Sequence, residues 1–153
     1  MSAMLQPKYK FRNMAMSDVD AVMEIEPHIY SHPWSRGNFV DSLNSGYSAS
    51  ILECNGEIIG YALMMMVLDE AHLLNLSIAK AYQKQGLGRL LLEHMMRIAQ
   101  EKKAANMFLE VRTSNISAIA LYENVGFNEM AIRRGYYPAP NGREDAVLMG
   151  LAL

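Results

Sequence analysis

The passage from His72 to Glu101 constrains this chain more than any other stretch. A strand-like run, His72 to Ile78, leads through Gln83-Lys84-Gln85-Gly86-Leu87-Gly88-Arg89 into an amphipathic helix. Leu87, Leu91, Met95 and Ile98 form its apolar stripe, with Leu92, Met96 and Ala99 beside them. Arg89, Glu93, Arg97 and Glu101 fall on the opposite, water-facing side. A strand that passes through two glycines into a one-faced helix belongs to a mixed α/β chain.

The remaining elements follow from pattern and punctuation. Tyr9, Phe11 and Met14 read as a strand, which Ser17 ends as an N-cap with Asp18 and Asp20 in the first turn of a helix reaching about Glu26. Pro27 and Pro33 bracket a turning segment, His28 to His32, ahead of a short helix carrying Phe39, Val40 and Leu43. From Tyr47 to Val67 the pattern is a hairpin closed by Asn55-Gly56, the favoured pair for a two-residue turn. Met64, Met65 and Met66 sit in its second strand, where adaptable core filling is expected. Met107 to Val111 reads as a buried strand and Ile116 to Asn124 as a helix ended by Gly126. Strands are expected at Phe127 to Arg133 and Ala146 to Leu151, joined by a loop over Gly135 to Asp145 that is rich in Gly, Pro and Asn.

Composition bounds the class. The 153 residues suffice for one domain with its own core, and 51% hydrophobic with 20% charged residues is an ordinary globular balance. A single domain over residues 1 to 153 is expected, without repeat or linker. A formal net charge of -2 supplies no global field for nucleic acid or an anionic membrane. Cys54 is the only cysteine, which excludes an internal disulfide and fits a reducing, cytoplasmic setting. The longest apolar run, Tyr61 to Leu68, falls far short of the ~18 residues of a spanning helix, and Met1 to Lys10 lacks the apolar core of an export signal. His28 and His32 are spaced for a helical metal site, but prolines flank them and no third ligand is evident, so no metal is expected.

Three features carry chemistry. The glycines at Gly86 and Gly88 let successive backbone N–H groups converge on an anion at a helix N-terminus, for which a diphosphate is the natural guest. Taken alone, two glycines before a helix are more often a tight turn, and neither the Walker A nor the Rossmann spacing is present. Glu110 interrupts an apolar strand and points away from the face shared by Met107, Leu109 and Val111. It reads as a solvated carboxylate or as a general base at the carboxyl end of a strand. Asn115 and Tyr122 share a helix face about 10 Å apart along the axis, where one extended ligand could touch both. Taken alone, a tyrosine among Ala118, Leu121 and Val125 reads by default as a core residue with its hydroxyl satisfied.

In this order the three features resemble the GCN5-related N-acetyltransferase (GNAT) family, over most of the chain. The glycine segment is similar to the family's pyrophosphate loop, and Asn115 to Phe127 to its Asn-to-Leu-Tyr-Glu-x-x-Gly-Phe segment. Four further stretches resemble the bacterial ribosomal-protein-alanine N-acetyltransferases, the RimI group. They are Pro33-Trp34-Ser35, Leu68 to Ala71, Leu109 to Arg112 with Ser114-Asn115, and Ile132 to Pro138 followed by Gly142 to Ala146.

The resemblance implies a GNAT-like fold: a central, mostly antiparallel sheet with one parallel strand pair splayed around acetyl-CoA, flanked by helices. It implies that the backbone of Leu76, Ser77 and Ile78 pairs with the pantetheine arm and that Lys84, Gln85, Gly86, Leu87, Gly88 and Arg89 hold the pyrophosphate. Asn115 becomes a further coenzyme contact, Glu110 the general base and Tyr122 the general acid. The implied acceptor is the N-terminal alanine of a small-subunit ribosomal protein, protein 18, taken as a peptide by a monomer or weak dimer. Glu70, Glu144 or Asp145 are candidates for an acidic rim that steers such a basic partner. The alternatives are a lysine or small-amine acetyltransferase on the same fold, and an acyl-CoA binding module without turnover.

Overall fold

The computed structural model describes residues 8–153. The segment Met1 to Pro7, most of the stretch in which no export signal is read, lies outside them. In chain order the elements are β1 (Tyr9–Asn13), α1 (Val19–Ile29), α2 (Arg36–Asn44), β2 (Ser48–Cys54), β3 (Glu57–Val67), β4 (Glu70–Ile78), α3 (Leu87–Glu101), β5 (Asn106–Arg112), α4 (Ile116–Val125), β6 (Asn128–Ala139) and β7 (Gly142–Ala152). The strands form one seven-stranded sheet in the order β1-β2-β3-β4-β5-β7-β6. Every neighbouring pair is antiparallel except β4 and β5. This is the mixed α/β sheet with one parallel pair that the resemblance implies.

Strand alternation divides the core into two layers. Ile51, Tyr61 and Leu63 pack with Val19, Val22 and Phe39 of α1 and α2. Their neighbours Leu52, Ala62 and Met64 turn to the other face and pack with Leu91, Leu92 and Met95 of α3. Truncating a fully buried side chain there, Leu91→Ala for example, costs about 2–5 kcal/mol. The helix stripe is Leu87, Leu91, Leu92, Met95 and Ala99, with Ile98 at its half-buried margin. Met64 is fully buried and Met66 packs against the same cluster, the filling role expected of the methionine run. The hairpin turn holds both Asn55 (φ 52°) and Gly56 (φ 84°) in the left-handed region, as a two-residue turn of this kind requires.

Three boundaries differ from expectation. Ser17 does not cap α1; it lies in a short 3-10 turn, Met16–Asp18. Asp18 instead receives the Ala15 N–H at 2.7 Å and a fork of two 2.8 Å bonds from Arg12, which ties the start of α1 to β1. Helix α1 does not stop at Glu26 but runs to Ile29 with Pro27 inside it. Pro27 forgoes one ladder bond, that to the Met23 carbonyl, and the helix ends two residues later. The expected Gly135 to Asp145 loop is mostly strand, with only residues 140–141 between β6 and β7. Arg143 closes it by donating to the carbonyls of Gly135 (2.9 Å) and Tyr136 (3.0 Å), and Asp145 accepts the Gly135 N–H at 2.9 Å. Pro138 is accommodated because β6 is an edge strand, with no ladder on its outer side to interrupt. Among the described residues no helix is long and apolar enough to cross a membrane.

Candidate active site

The sheet opens where the one parallel pair among the described residues ends. β4 pairs with β5 only from Glu70–Asn106 to Leu73–Leu109. Beyond that the pairing of β4 with β3 slips between Leu63 and Met64, which leaves Leu74 as an extra residue and bends β4 away from β5. The resulting cleft has a volume of about 290 Å³ and is lined by residues from α1, β4, β5, α4 and β6.

Backbone alternation decides which groups of β4 face the opening. The Ala79 N–H bonds to Ile59, and Ser77 pairs with Tyr61, so the backbone of Ser77 is turned toward β3. The carbonyls of Leu76 and Ile78 point the other way, where they accept from the Tyr30 hydroxyl (3.0 Å) and the Gln83 side-chain amide (2.9 Å). The N–H groups of Leu76 and Ile78 share that direction, toward the gap. The Ser77 side chain is buried, with its hydroxyl donating to Asn75 at 2.6 Å.

The glycine passage follows β4 in the chain and opens α3. Lys84 (φ 63°) and Gly86 (φ 80°) both adopt left-handed conformations, and a Cβ at Gly86 meets nothing within 4 Å. The first α3 residue to bond back is Leu90, which donates to the Gly86 carbonyl, so the N–H groups of Leu87, Gly88 and Arg89 have no backbone acceptor. These donors and the helix dipole face open space, a fit for a diphosphate. The Leu87 side chain is core, so only its backbone is available. Lys84, Gln85 and Arg89 are exposed, and Arg89 lies 3.7 Å from Glu93. A Cβ at Gly88 would come within 3.3 Å of Leu121, so glycine here also lets α3 approach α4.

Glu110 and Tyr122 line the same cleft from β5 and α4. Glu110 does lie on the face opposite Met107, Leu109 and Val111, all of which are buried. It is not simply solvated: Nη1 of Arg133 bridges both carboxylate oxygens at 3.1 Å, and Arg133 in turn lies 4.4 Å from the Tyr136 ring centroid. Tyr122 is 7% exposed and packs edge-on against Phe127, with centroids 5.7 Å apart. Burial, then the neighbouring Tyr30 and Tyr137, pushes its phenol above the usual range, so it is held protonated. Asn115 reaches the cleft as the N-cap of α4, where its Oδ1 accepts from the Ala118 N–H at 3.3 Å.

The β6–β7 arm is latched over this end. Arg112 donates to the Pro138 carbonyl (2.7 Å) and to Glu144 (3.2 Å), and its guanidinium lies 4.5 Å from the Tyr137 ring centroid. Glu144 also accepts from the Ser114 N–H and the Thr113 hydroxyl, which holds its carboxyl below the usual range. Glu144 and Asp145 are therefore committed to the arm, and Glu70 to His72 at 3.0 Å, rather than standing as a free acidic rim. Burial drives Tyr137 up to about 12, with the Glu110 charge adding to it.

A set of cleft residues lies outside the sequence motifs: Glu26, Tyr30 and Asn75, with Glu26 only 1% exposed. The usable signal is that Val19, Val22 and Glu26 fall at helical spacing on one buried face, where an acid is out of place. Trp34 and His32 also line the cleft. Among the described residues no group of three or more metal-ligating side chains comes together.

Comparison with known proteins agrees with this geometry. The model of the acetyltransferase (GNAT) family matches residues 19–127. The [ribosomal protein bS18]-alanine N-acetyltransferase of Escherichia coli K12 is 43% identical over 92% of this chain and 95% of its own. That of Haemophilus influenzae is 44% identical over 89% and 93%. The crystal structure of the ribosomal-protein-S18-alanine N-acetyltransferase from Escherichia coli superimposes with a TM-score of 0.89 at 42% identity, covering 95% of this chain and 94% of that one. With its sheet opened at the one parallel pair and a glycine-built helix N-terminus following β4, this chain belongs to the GNAT family of acetyltransferases.

Proposed function

We propose that this protein, acting as one domain, transfers an acetyl group from acetyl-CoA to the α-amine of an N-terminal alanine, that of a bS18-type ribosomal protein. The observation that carries the reading is the meeting of Glu110 and Tyr122 in one cleft beside β4, the strand that runs on into a helix N-terminus with unpaired backbone donors. The similarity to the bS18-alanine enzymes over nearly the whole chain supports the choice of acceptor.

Bound acetyl-CoA supplies the activated acyl thioester. The N–H groups of Leu87 to Arg89 hold its diphosphate, and the gap-facing backbone of Leu76 and Ile78 aligns the pantetheine arm. A backbone N–H on the same stretch of β4 polarises the thioester carbonyl. Glu110 takes a proton from the incoming amine, which attacks only when neutral. One nitrogen of Arg133 already bridges both Glu110 oxygens, the arrangement an incoming amine nitrogen would adopt, so amine and guanidinium share the carboxylate. Tyr122 delivers a proton to the departing sulfur. A thiol has a reference pKa of about 8.5 and a phenol of about 10, and burial raises Tyr122 further, so the proton moves only as the carbon–sulfur bond breaks.

An α-amine suits a modest base. At pH 7 roughly one α-amine in seven is neutral, against about one lysine in a few thousand. The test uses two peptides of one sequence with an internal lysine, one with a free N-terminal alanine and one with its N-terminus blocked. Mass spectrometry after incubation with acetyl-CoA should show acetylation of the free α-amine and little change in the blocked peptide. Equal lysine modification in both sinks the reading.

A further inference from the structure

The mechanism leaves one buried carboxylate unused. Glu26 lines the same cleft as Glu110, from α1, and is 1% exposed. No lysine, arginine or histidine pairs with it among the described residues. Its partners are neutral donors: the Tyr61 hydroxyl at 2.7 Å, the Trp34 N–H at 2.9 Å, and the Asn75 amide at 3.3 and 3.5 Å from its two oxygens. A desolvated charge without a counter-ion is costly, so its retention calls for a physical reason.

The donor inventory supplies one. The Trp34 N–H can only donate, so one oxygen of the group at position 26 must face it. The Asn75 amide nitrogen can only donate as well, and its own oxygen is occupied by the Ser77 hydroxyl at 2.6 Å. A glutamine has a single acceptor oxygen, so its amide would meet the Asn75 amide donor to donor. A carboxylate, with an acceptor on both arms, satisfies Tyr61, Trp34 and Asn75 together. A second bolt lies four residues on: the Tyr30 hydroxyl bonds the Leu76 carbonyl (3.0 Å) and the Ser77 hydroxyl (2.9 Å). The segment from Glu26 to Trp34 is thus fastened at three points: Glu26 to β3 and β4, Tyr30 to β4, and the Trp34 N–H to the Glu26 carboxylate itself. Between and beside those bolts the segment presents Tyr30, His32 and Trp34 to the cleft.

We infer that Glu26 is a positioning residue of the acceptor pocket: its carboxylate fixes the wall bearing Tyr30, His32 and Trp34, and so sets which first residue of a peptide fits opposite Glu110. This rests on the proposed acetylation of a peptide α-amine. Removing the carboxylate frees the Trp34 end of the wall while the glycine passage and the pair Glu110 and Tyr122 keep their places.

The experiment measures steady-state acetylation of peptides beginning with alanine or leucine, together with CoA affinity, for the full chain and for Glu26→Ala, Glu26→Gln and Tyr61→Phe. In Glu26→Ala the KM for the alanine peptide should rise about tenfold or more, and the preference for alanine over leucine should narrow. Its kcat at saturating peptide and its CoA affinity should stay within about threefold. Glu26→Gln should fall between wild type and Glu26→Ala. Tyr61→Phe removes a single donor to the carboxylate and should shift KM about two- to threefold in the same direction. Unchanged KM and unchanged preference in these variants overturn the inference. So does a parallel loss of kcat, CoA affinity and Tm, the signature of a plain core residue. Should Glu26→Ala not fold, the near-isosteric Glu26→Gln and Tyr61→Phe decide alone. A wild-type protein that leaves the peptide unmodified overturns the proposed function itself; an active wild type with indifferent variants overturns only the role of Glu26.

Discussion

The cleft has a main-chain side on β4, with the gap-facing groups of Leu76 and Ile78, which the chain continues into the unpaired N–H groups of Leu87, Gly88 and Arg89. Along α1, β5 and the β6–β7 arm it is walled by side chains that hold one another, in the sets Glu26, Tyr61 and Asn75; Glu110 and Arg133; Arg112 and Glu144. The first wall can grip any ligand with a diphosphate and an amide-bearing arm, because backbone groups are the same in every residue. The second can discriminate, because its shape depends on particular side chains. A transferase with one donor and one chosen acceptor needs a wall of each kind.

The comparison breaks most visibly at the side-chain wall. Glu110→Gln should lower turnover by ~10² to 10⁴ with CoA affinity preserved, and Tyr122→Phe should act likewise. Rapid-quench or coupled thiol assays alongside CoA titration separate these effects, and near-normal rates in both variants leave positioning as the only source of catalysis. At the main-chain wall the largest effect should come from Gly86→Val. A β-branched residue at φ 80° costs about 1–3 kcal/mol and crowds the phosphate approach, so CoA affinity should fall roughly tenfold or more. Calorimetric titration of the folded variant checks it, and unchanged affinity removes the phosphate role of the glycine passage. The smallest effect belongs to Asn115, which stands between the walls. Asn115→Ala removes the α4 cap, costing about 1 kcal/mol and about 2–4 °C in Tm by thermal denaturation. A lower CoA affinity on top of that identifies Asn115 as a ligand contact as well as a cap; an unchanged affinity limits it to the cap.

Local pattern alone determined much of this molecule. Helical spacing marked α3, Asn55-Gly56 marked the β2–β3 hairpin, and alternation placed Glu110 on the face away from the core. Each of these depends on residues a few positions apart, whose preferred geometry is already encoded in neighbouring torsions and side-chain spacing. The glycine passage was legible for the same reason, being continuous in the chain. The length of the β6–β7 arm was not, since its turn-rich composition is overridden by the strand partner and by Arg143 reaching back to Gly135 and Tyr136. Nor was the buried hydrogen-bond set of Glu26, whose partners stand 8, 35 and 49 residues away and become neighbours only when α1 docks on β3 and β4. The Arg133 bridge to Glu110, spanning 23 residues, is of the same kind. Hydrogen bonds between distant side chains follow from how elements pack, and packing is decided by the whole core at once.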